Sequence, residues 1–246
     1  MDVYSRDFRV DEKADSSPLT DADLRSQKVI LAGLAQLTPG VPVLAEEAEA
    51  AAVAFEERSR WGQYWLVDPL DGTREFVSRN PEFTVNIALV REHRPVLGIV
   101  HVPAQALDYF ACEGAGAFRQ AASRPREPIH ALPRSANPVR VVGSKSHRGD
   151  SLDGLLARLG SHELKPVGSS LKLCLVAEGA ADFYPRLGPT MEWDIAAAQA
   201  VLECAGGYLT DLDGKPLRYN TRASLVNPHF IAYGDASRDW LRYVPK

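Results

Sequence analysis

The sequence predicts an α/β protein in two halves, an α+β half over residues 1–135 and an α/β half over residues 136–246. Three observations predict it. Between residues 64 and 118, short apolar segments alternate in hydrophobicity and are broken by glycine-containing turns, the pattern of an antiparallel meander. From residue 139 onward, strand-like and helix-like segments take turns, the pattern of an α/β unit. Between the two lies "QAASRPREPIHALPRSANP" at 120–138, polar, proline-rich and without a sustained period, which reads as a connection. With 246 residues, 45% of them hydrophobic, the chain holds enough apolar material for a substantial core.

The elements follow in order. "TDAD" at 20–23 sets a hydroxyl three residues before a carboxylate, and Leu24, Leu31 and Leu34 come at near-helical spacing until "TPG" stops the run. This is a capped helix over 20–37. "PVLAEEAEAAA" passes from a short apolar run to acid and alanine, and "YWLVDPLDGT" reads as a buried strand entering a turn broken by Pro69 and Gly72. "EFTVNIALV" alternates with Phe83, Val85, Ile87 and Leu89 on one face, and "PVLGIVHVP" and "LDYFACEGAGAF" continue the meander. The second half reads as strand "VRVVGS", helix "SLDGLLARLG", strand "LKPVG", helix "SSLKLCLVAEG", strand "ADFYPR", helix "WDIAAAQAVLECAGG", a DG turn and strand "HFIAYG". Leu152, Leu155, Leu156 and Leu159 share one helix face, with Gly160 as the stop.

Composition narrows the function classes. A net charge of −4 and an isoelectric point near 5.9 leave no basic excess to follow a phosphate backbone, so a nucleic-acid polymer is not the expected ligand. Cys112, Cys174 and Cys204 lack CxxC spacing and read as reduced core residues. No run of 18 apolar residues occurs and the N-terminus is too polar for a signal peptide, so the expectation is a cytoplasmic protein with no integral membrane segment.

The residues able to do chemistry cluster around "DPLDGT". Asp68 and Asp71 flank a proline that bends the chain, and two carboxylates held close repel unless a cation or a shared proton lies between them. Oxygen-only ligands suit a hard cation such as Mg²⁺. Taken alone, the stretch also fits an ordinary aspartate-rich turn. Glu46 in "LAEEA" and Asp194 in "EWDIAAA" are the acids able to join it; each also has a plain reading, a solvated helix start and a helix N-cap. Backbone N–H groups at Gly72 and Thr73 could seat a phosphate oxygen, and the Thr73 hydroxyl could hold a water whose proton passes to a neighbouring acid. Asp23 is a candidate for that acid, or merely closes a capping box around Thr20.

Together, "WLVDPLDGTREF", the upstream "LAEE" and the downstream "EWDIAAAQAVLECAGG" resemble the lithium-sensitive, magnesium-dependent phosphomonoesterases of the inositol monophosphatase superfamily. "TPGVPVLAEE", "DGTREFVSRNPEFTVNIALV" and "GSSLKLCLVAEG" are most similar to its bacterial 3'(2'),5'-bisphosphate nucleotidase branch, over residues 8–233. The resemblance implies a layered αβαβα sugar-phosphatase fold. It implies that Glu46, Asp68, the Leu70 carbonyl, Asp71 and Asp194 would surround Mg²⁺ ions, with Asp68 bridging two, and that Thr73 and Asp23 would orient and activate the attacking water. Glu46, Asp71, Gly72, Thr73 and Asp194 would border the bound substrate. Ser169 and Lys172 of "GSSLK" would meet the phosphate, Ser144 and His147 of "SKSH" the sugar or base, and Arg186 of "YPR" the phosphate that is not cleaved.

The implied reaction removes the 3'-phosphate of adenosine 3',5'-bisphosphate, a by-product of sulfate assimilation, to give AMP. The competing expectations are a phosphatase of inositol or sugar phosphates, and an inactive sensor of nucleotide or metal. The implied partner is a small nucleotide bisphosphate, the implied state a monomer or homodimer, and the implied place the cytoplasm, with peripheral contact to the inner membrane allowed. Three departures accompany the resemblance: a start about one helix short of the relatives, from a misassigned start codon or from a missing helix whose loss would bare apolar surface, Ala45 where Gly or Ser is usual, and Ala198 where Gly is common.

Overall fold

The computed structural model describes residues 1–12, 18–47, 53–144 and 150–245. Its strands are β1 (Val10–Glu12), β2 (Pro18–Thr20), β3 (Val43–Ala45), β4 (Gln63–Asp71), β5 (Thr84–Arg91), β6 (Arg94–Val102), β7 (Leu107–Cys112), β8 (Gly116–Ala121), β9 (Glu127–Pro128), β10 (Val139–Gly143), β11 (His162–Pro166), β12 (Phe183–Arg186), β13 (Tyr208–Asp211) and β14 (Phe230–Tyr233). The helices are α1 (Asp21–Leu37), α2 (Phe55–Arg58), α3 (Thr73–Val77), α4 (Asp150–Leu159), α5 (Leu171–Ala177) and α6 (Glu192–Cys204).

A seven-stranded sheet runs β3-β4-β5-β6-β7-β8-β9, antiparallel except for the parallel β3–β4 pair. A five-stranded sheet runs β11-β10-β12-β14-β13; β10 is parallel to β11 and β12, and β14 is antiparallel to its two neighbours. The expected meander is therefore present. The sheet of the second half is mixed, since β14 is antiparallel to both β12 and β13, and "GYLTDL" supplies β13, a strand that the hydrophobic pattern did not disclose.

The period-two alternation of β4 and β5 sorts side chains onto two faces. Tyr64, Leu66, Ala88 and Val90 join the large core that includes α5 and α6, whereas Trp65, Val67, Ile87 and Leu89 meet Leu34 and Ile30 of α1. The face of Val85, Ile87 and Leu89 is thus the half-buried one, and the fully buried face carries Thr84, Asn86, Ala88 and Val90. On the far side, Leu152, Leu155, Leu156 and Leu159 of α4 pack as expected against Val139, Val141, Phe183 and Ile231 of the second sheet. The layers are α1, sheet, α5 and α6, sheet, α4, which is the αβαβα order.

Helix α6 is apolar around its whole circumference because both sheets cover it: Trp193 and Ile195 through Leu202 are buried. It settles onto the first sheet over Gly98 of β6. A Cβ there would lie 2.1 Å from the Ala197 carbonyl oxygen and 2.9 Å from Ala200 Cβ. Ala198 and Ala45 are fully buried in their packed surroundings. Two expectations change. Leu24 is 48% exposed, since the α1 face turned inward carries Asp23, Gln27 and Leu34 instead. Cys112 is exposed and only Cys174 is a core thiol, because Cys112 ends β7 on the face opposite buried Ala111. Among the described residues no helix is long and apolar enough to cross a membrane.

The seating of α6 gives a stability prediction. Gly98→Ala must push a backbone carbonyl aside and is expected to destabilise the protein by about 2 kcal/mol or more. The check is the midpoint of urea unfolding, where an unchanged midpoint would contradict this packing.

Candidate active site

Asp68 and Asp71 are three residues apart, and in a regular strand an odd separation would send them to opposite faces. The ladder does not stay regular. Asp68 pairs with Asn86 and Asp71 with Thr84, so β4 spends one more residue than β5 across the Pro69 bulge. Proline has no N–H to give to a ladder, and a bulge is where its absence costs least. The inserted residue resets the alternation and turns both carboxylates toward α6. Gly72 follows with φ +91°, a left-handed conformation that favours glycine, and starts α3 at Thr73.

The other acids arrive from separate segments. Glu46 follows β3, and its N–H donates to the Val67 carbonyl at 3.1 Å, beside Asp68. Asp194 is the third residue of α6, and its Oδ2 accepts the Met191 N–H at 2.9 Å. It caps the helix and lines the cleft. The helix start is tied down by Glu192, which accepts the Asn220 N–H at 2.8 Å, while Asn220 bonds to buried Arg58.

Asp23 likewise makes two sets of contacts. Its Oδ2 accepts the Thr20 N–H at 2.8 Å and the Thr20 hydroxyl at 2.7 Å, completing the capping box. Its Oδ1 lies 3.3 Å from the Thr73 hydroxyl, fifty residues on in the chain. The Leu70 carbonyl is an equal 3.3 Å from that hydroxyl.

A cavity of about 290 Å³ opens between the two sheets, with Asp71, Gly72, Thr73, Ser144, Ser169, Lys172, Arg186 and Asp194 in its wall. Asp68 is 1% exposed and lies behind this wall with Leu70. Ser169 Oγ donates to Asp71 Oδ2 at 2.6 Å. Lys172 is buried, and its Nζ donates to the carbonyls of Ser169 at 2.6 Å and Val167 at 3.2 Å. Burial, opposed by Asp71 and reinforced by Arg186, lowers the Lys172 ammonium to about 8, so it is mainly charged at neutral pH. Arg186 donates to the Pro189 carbonyl at 2.6 Å, while its Nε is buried with no hydrogen-bond partner among the described residues. His147 lies outside the described residues.

The acids are under electrostatic load. Burial raises Asp68 well above the usual carboxylate range, and the charges of Glu46, Asp71 and Asp194 raise it further. Asp194 is raised by burial and then by Asp71 and Glu46, with Arg186 opposing. Among the described residues no three His, Cys, Asp or Glu side chains already close into a metal cage. Asp68, Asp71 and Asp194 each direct one oxygen to a local N–H or hydroxyl. Oxygen-only donors with unbalanced negative charge fit a hard divalent cation, and a soft metal finds no thiolate or imidazole in the set.

Ser170, Thr84 and Asn86 bond to residues of the cleft wall or to one another, Glu82 holds Gly168, and none of the four was anticipated. The available signal was Thr84 and Asn86 standing at alternate positions of an otherwise apolar strand.

A profile of the inositol monophosphatase family matches residues 1–238. The chain belongs to the inositol monophosphatase family. Among curated relatives, the 3'(2'),5'-bisphosphate nucleotidase CysQ of Salmonella typhimurium is 47% identical over 94% of this chain and 92% of its own length. The Haemophilus influenzae protein of that name is 40% identical over 96% of this chain and 88% of its own. A family structure, CysQ from Bacteroides thetaiotaomicron, superposes with a TM-score of 0.79 at 40% identity, covering 92% of this chain and 88% of that one. The Thermotoga maritima IMPase superposes at 0.77 with 26% identity, covering 98% of this chain and 88% of the other. Family membership makes this chain a metal-dependent phosphatase.

The raised carboxylates give a linkage prediction. A carboxyl whose folded pKa exceeds its unfolded value stabilises the fold at acid pH, and that contribution is lost as the pH rises through the folded pKa. Without divalent metal, the melting temperature is expected to fall as the pH climbs from the acid range toward neutrality. Saturating Mg²⁺ offsets the charge, so its stabilising increment grows over the same interval. Melting curves with Mg²⁺ and with a chelator across that range read both trends; an increment independent of pH would contradict the carboxylate cluster.

Proposed function

We propose that this protein is a Mg²⁺-dependent 3'(2'),5'-bisphosphate nucleotidase that converts adenosine 3',5'-bisphosphate and water to AMP and phosphate, recycling a by-product of sulfate assimilation. The observation that carries the reading is the convergence of the Asp68–Asp71 bulge, Asp194 and the Asp23–Thr73 pair on one cleft that also presents Lys172 and Arg186. The 40–47% identity to relatives named as nucleotidases supports the nucleotide over an inositol ester.

Glu46, Asp68, the Leu70 carbonyl, Asp71 and Asp194 would hold the cation. When bound, it would supply Lewis-acid charge that neutralises the phosphate and stabilises the departing oxygen. Thr73 holds a water through its hydroxyl oxygen and passes its own hydroxyl proton toward Asp23 Oδ1, so that the water can lose a proton as it attacks. The Asp23 carboxylate is fixed for this by its bonds to Thr20. The P–O3' bond breaks, the 3'-oxygen takes a proton and phosphate leaves. Lys172 has one N–H beyond the two given to carbonyls, and that N–H together with the unpartnered Arg186 Nε–H meets the substrate's anionic oxygens. Ser144 and His147 are assigned to the sugar or base.

Purified protein with Mg²⁺ should prefer adenosine 3',5'-bisphosphate over inositol 1-phosphate by at least about tenfold in kcat/KM, the discrimination a few polar contacts supply. A wide preference for the inositol ester would reject the nucleotidase assignment and leave the phosphatase site standing. No turnover of any phosphomonoester, with Mg²⁺ still bound, would favour a sensor.

Asp71→Asn keeps an acceptor for Ser169 but removes the charge. It should lower kcat by roughly 100-fold or more, the scale of losing one electrostatic stabiliser, with the fold intact by circular dichroism. Lithium at millimolar order should inhibit turnover by competing for a cation position; unchanged rates would count against the metal arrangement.

A further inference from the structure

The buried face of β5 presents polar side chains where its pattern would place apolar ones. Thr84 and Asn86 are each 0% exposed, and neither belongs to the acid set. Asn86 touches three elements of the site at once. Its Nδ2 lies 3.5 Å from Asp71 Oδ2 and 3.4 Å from the Asp194 carbonyl, and its Oδ1 accepts the Ser170 hydroxyl at 2.7 Å. Thr84 Oγ1 bonds to Ser169 Oγ and lies 2.9 Å from Ser170 Oγ. The Ser170 N–H completes the cluster by donating to Asp71 Oδ2 at 2.7 Å.

One assignment of protons satisfies these groups together: Thr84 donates to Ser169, Ser169 to Asp71, Ser170 to Asn86, and the Asn86 amide to Asp71 and the Asp194 carbonyl. Three donors thereby converge on a single carboxylate oxygen, Asp71 Oδ2. Such a set fixes the rotamer of the carboxylate. The turn that supplies two of the donors is held from its other side as well. The Gly168 N–H donates to Glu82 at 2.9 Å, and a Cβ on Gly168 would come within 2.5 Å of the Glu82 carbonyl oxygen. Ser169 adopts φ +53°, a left-handed conformation unfavourable for serine that the surrounding bonds hold in place.

We propose that Thr84 and Asn86 are positioning residues that lock the Asp71 carboxylate and the Gly168–Ser170 turn into one geometry, so that a single buried hydrogen-bond cluster sets both the affinity for the cation and the affinity for the substrate phosphate. The coupling follows from shared atoms. Asp71 offers charge to the cation through the carboxylate whose orientation the turn fixes, and the same turn carries Ser169 and, through the Ser169 carbonyl, the Lys172 ammonium. A change on β5 therefore reaches both ligands without touching either. The catalytic part of this inference rests on the nucleotidase reading, whereas the metal-binding part does not.

The test compares wild type with Thr84→Val, which keeps the shape and deletes the hydroxyl, Thr84→Ser, which restores the hydroxyl, and Asn86→Ala. Mg²⁺ binding to the protein alone is measured by titration calorimetry, and KM and kcat are measured with adenosine 3',5'-bisphosphate. Thr84→Val should weaken Mg²⁺ binding and raise KM, each by about tenfold, the scale seen when groups that orient metal ligands are removed, with kcat changed less. Thr84→Ser should return both to within about twofold of wild type, and Asn86→Ala should exceed Thr84→Val. If Asn86→Ala does not fold, the two Thr84 variants decide. Folded Thr84→Val with wild-type Mg²⁺ binding and KM overturns the proposal, whatever its melting temperature. If the wild type binds Mg²⁺ but does not hydrolyse the nucleotide, the nucleotidase reading fails and calorimetry still judges the positioning role.

Discussion

Glu46, Asp68, Asp71 and Asp194 come from three segments of the chain, and burial together with the neighbouring acids disfavours the charge of Asp68 and Asp194. Desolvating an ionised group costs several kcal/mol unless something repays it; here Arg186 opposes the load on Asp194, and Asp71 faces the Lys172 ammonium. Much of the local structure follows from assembling this frustrated set. The Pro69 bulge turns two aspartates to the same face, Gly72 starts a short helix in a left-handed conformation, and the capped start of α6 holds the fourth acid by its backbone.

Helix α6 joins the acids to the rest of the fold. It lies between the two sheets, apolar on every side, and its seat over Gly98 fixes how far Asp194 stands from the end of β4. The cleft therefore opens where the sheets meet, with the acids on the side of the first and Lys172 and Arg186 on the side of the second. Under the proposed function, a polyanion held there would lie between acids that recruit a cation and side chains that are themselves cationic, which would reconcile a phosphate substrate with a net charge of −4.

Much of this was legible from the sequence because it rests on local rules. The Thr20–Asp23 capping box, the leucine stripe of α4 and the meander are short-range patterns, and the structure contains each of them. Asp23 was open between a capping and a catalytic reading, and Asp194 between a capping and a metal-ligand one. Pattern could not decide because one carboxylate has two oxygens, and in Asp23 one bonds to Thr20 while the other lies 3.3 Å from the Thr73 hydroxyl.

What escaped the sequence depended on contacts across the chain. The Thr84 and Asn86 cluster is invisible until the Ser169–Ser170 turn, more than eighty residues away, is folded against it. Leu24 looked like a core residue because it has the right period, yet the inward face of α1 is partly polar where it approaches the site. Strand β13 was missed because its single buried leucine, Leu209, sits between a pair of glycines and a DG turn, too short a segment to show a period.

The most direct test of the account is crystallographic: soak Mn²⁺ as a scattering substitute for Mg²⁺ and collect data at an energy where it scatters anomalously. The account predicts a peak at bonding distance, about 2 Å, from oxygens of both Asp68 and Asp71, with Glu46 or Asp194 completing the shell directly or through water. Manganese bound elsewhere, with these four acids turned from one another, would contradict it.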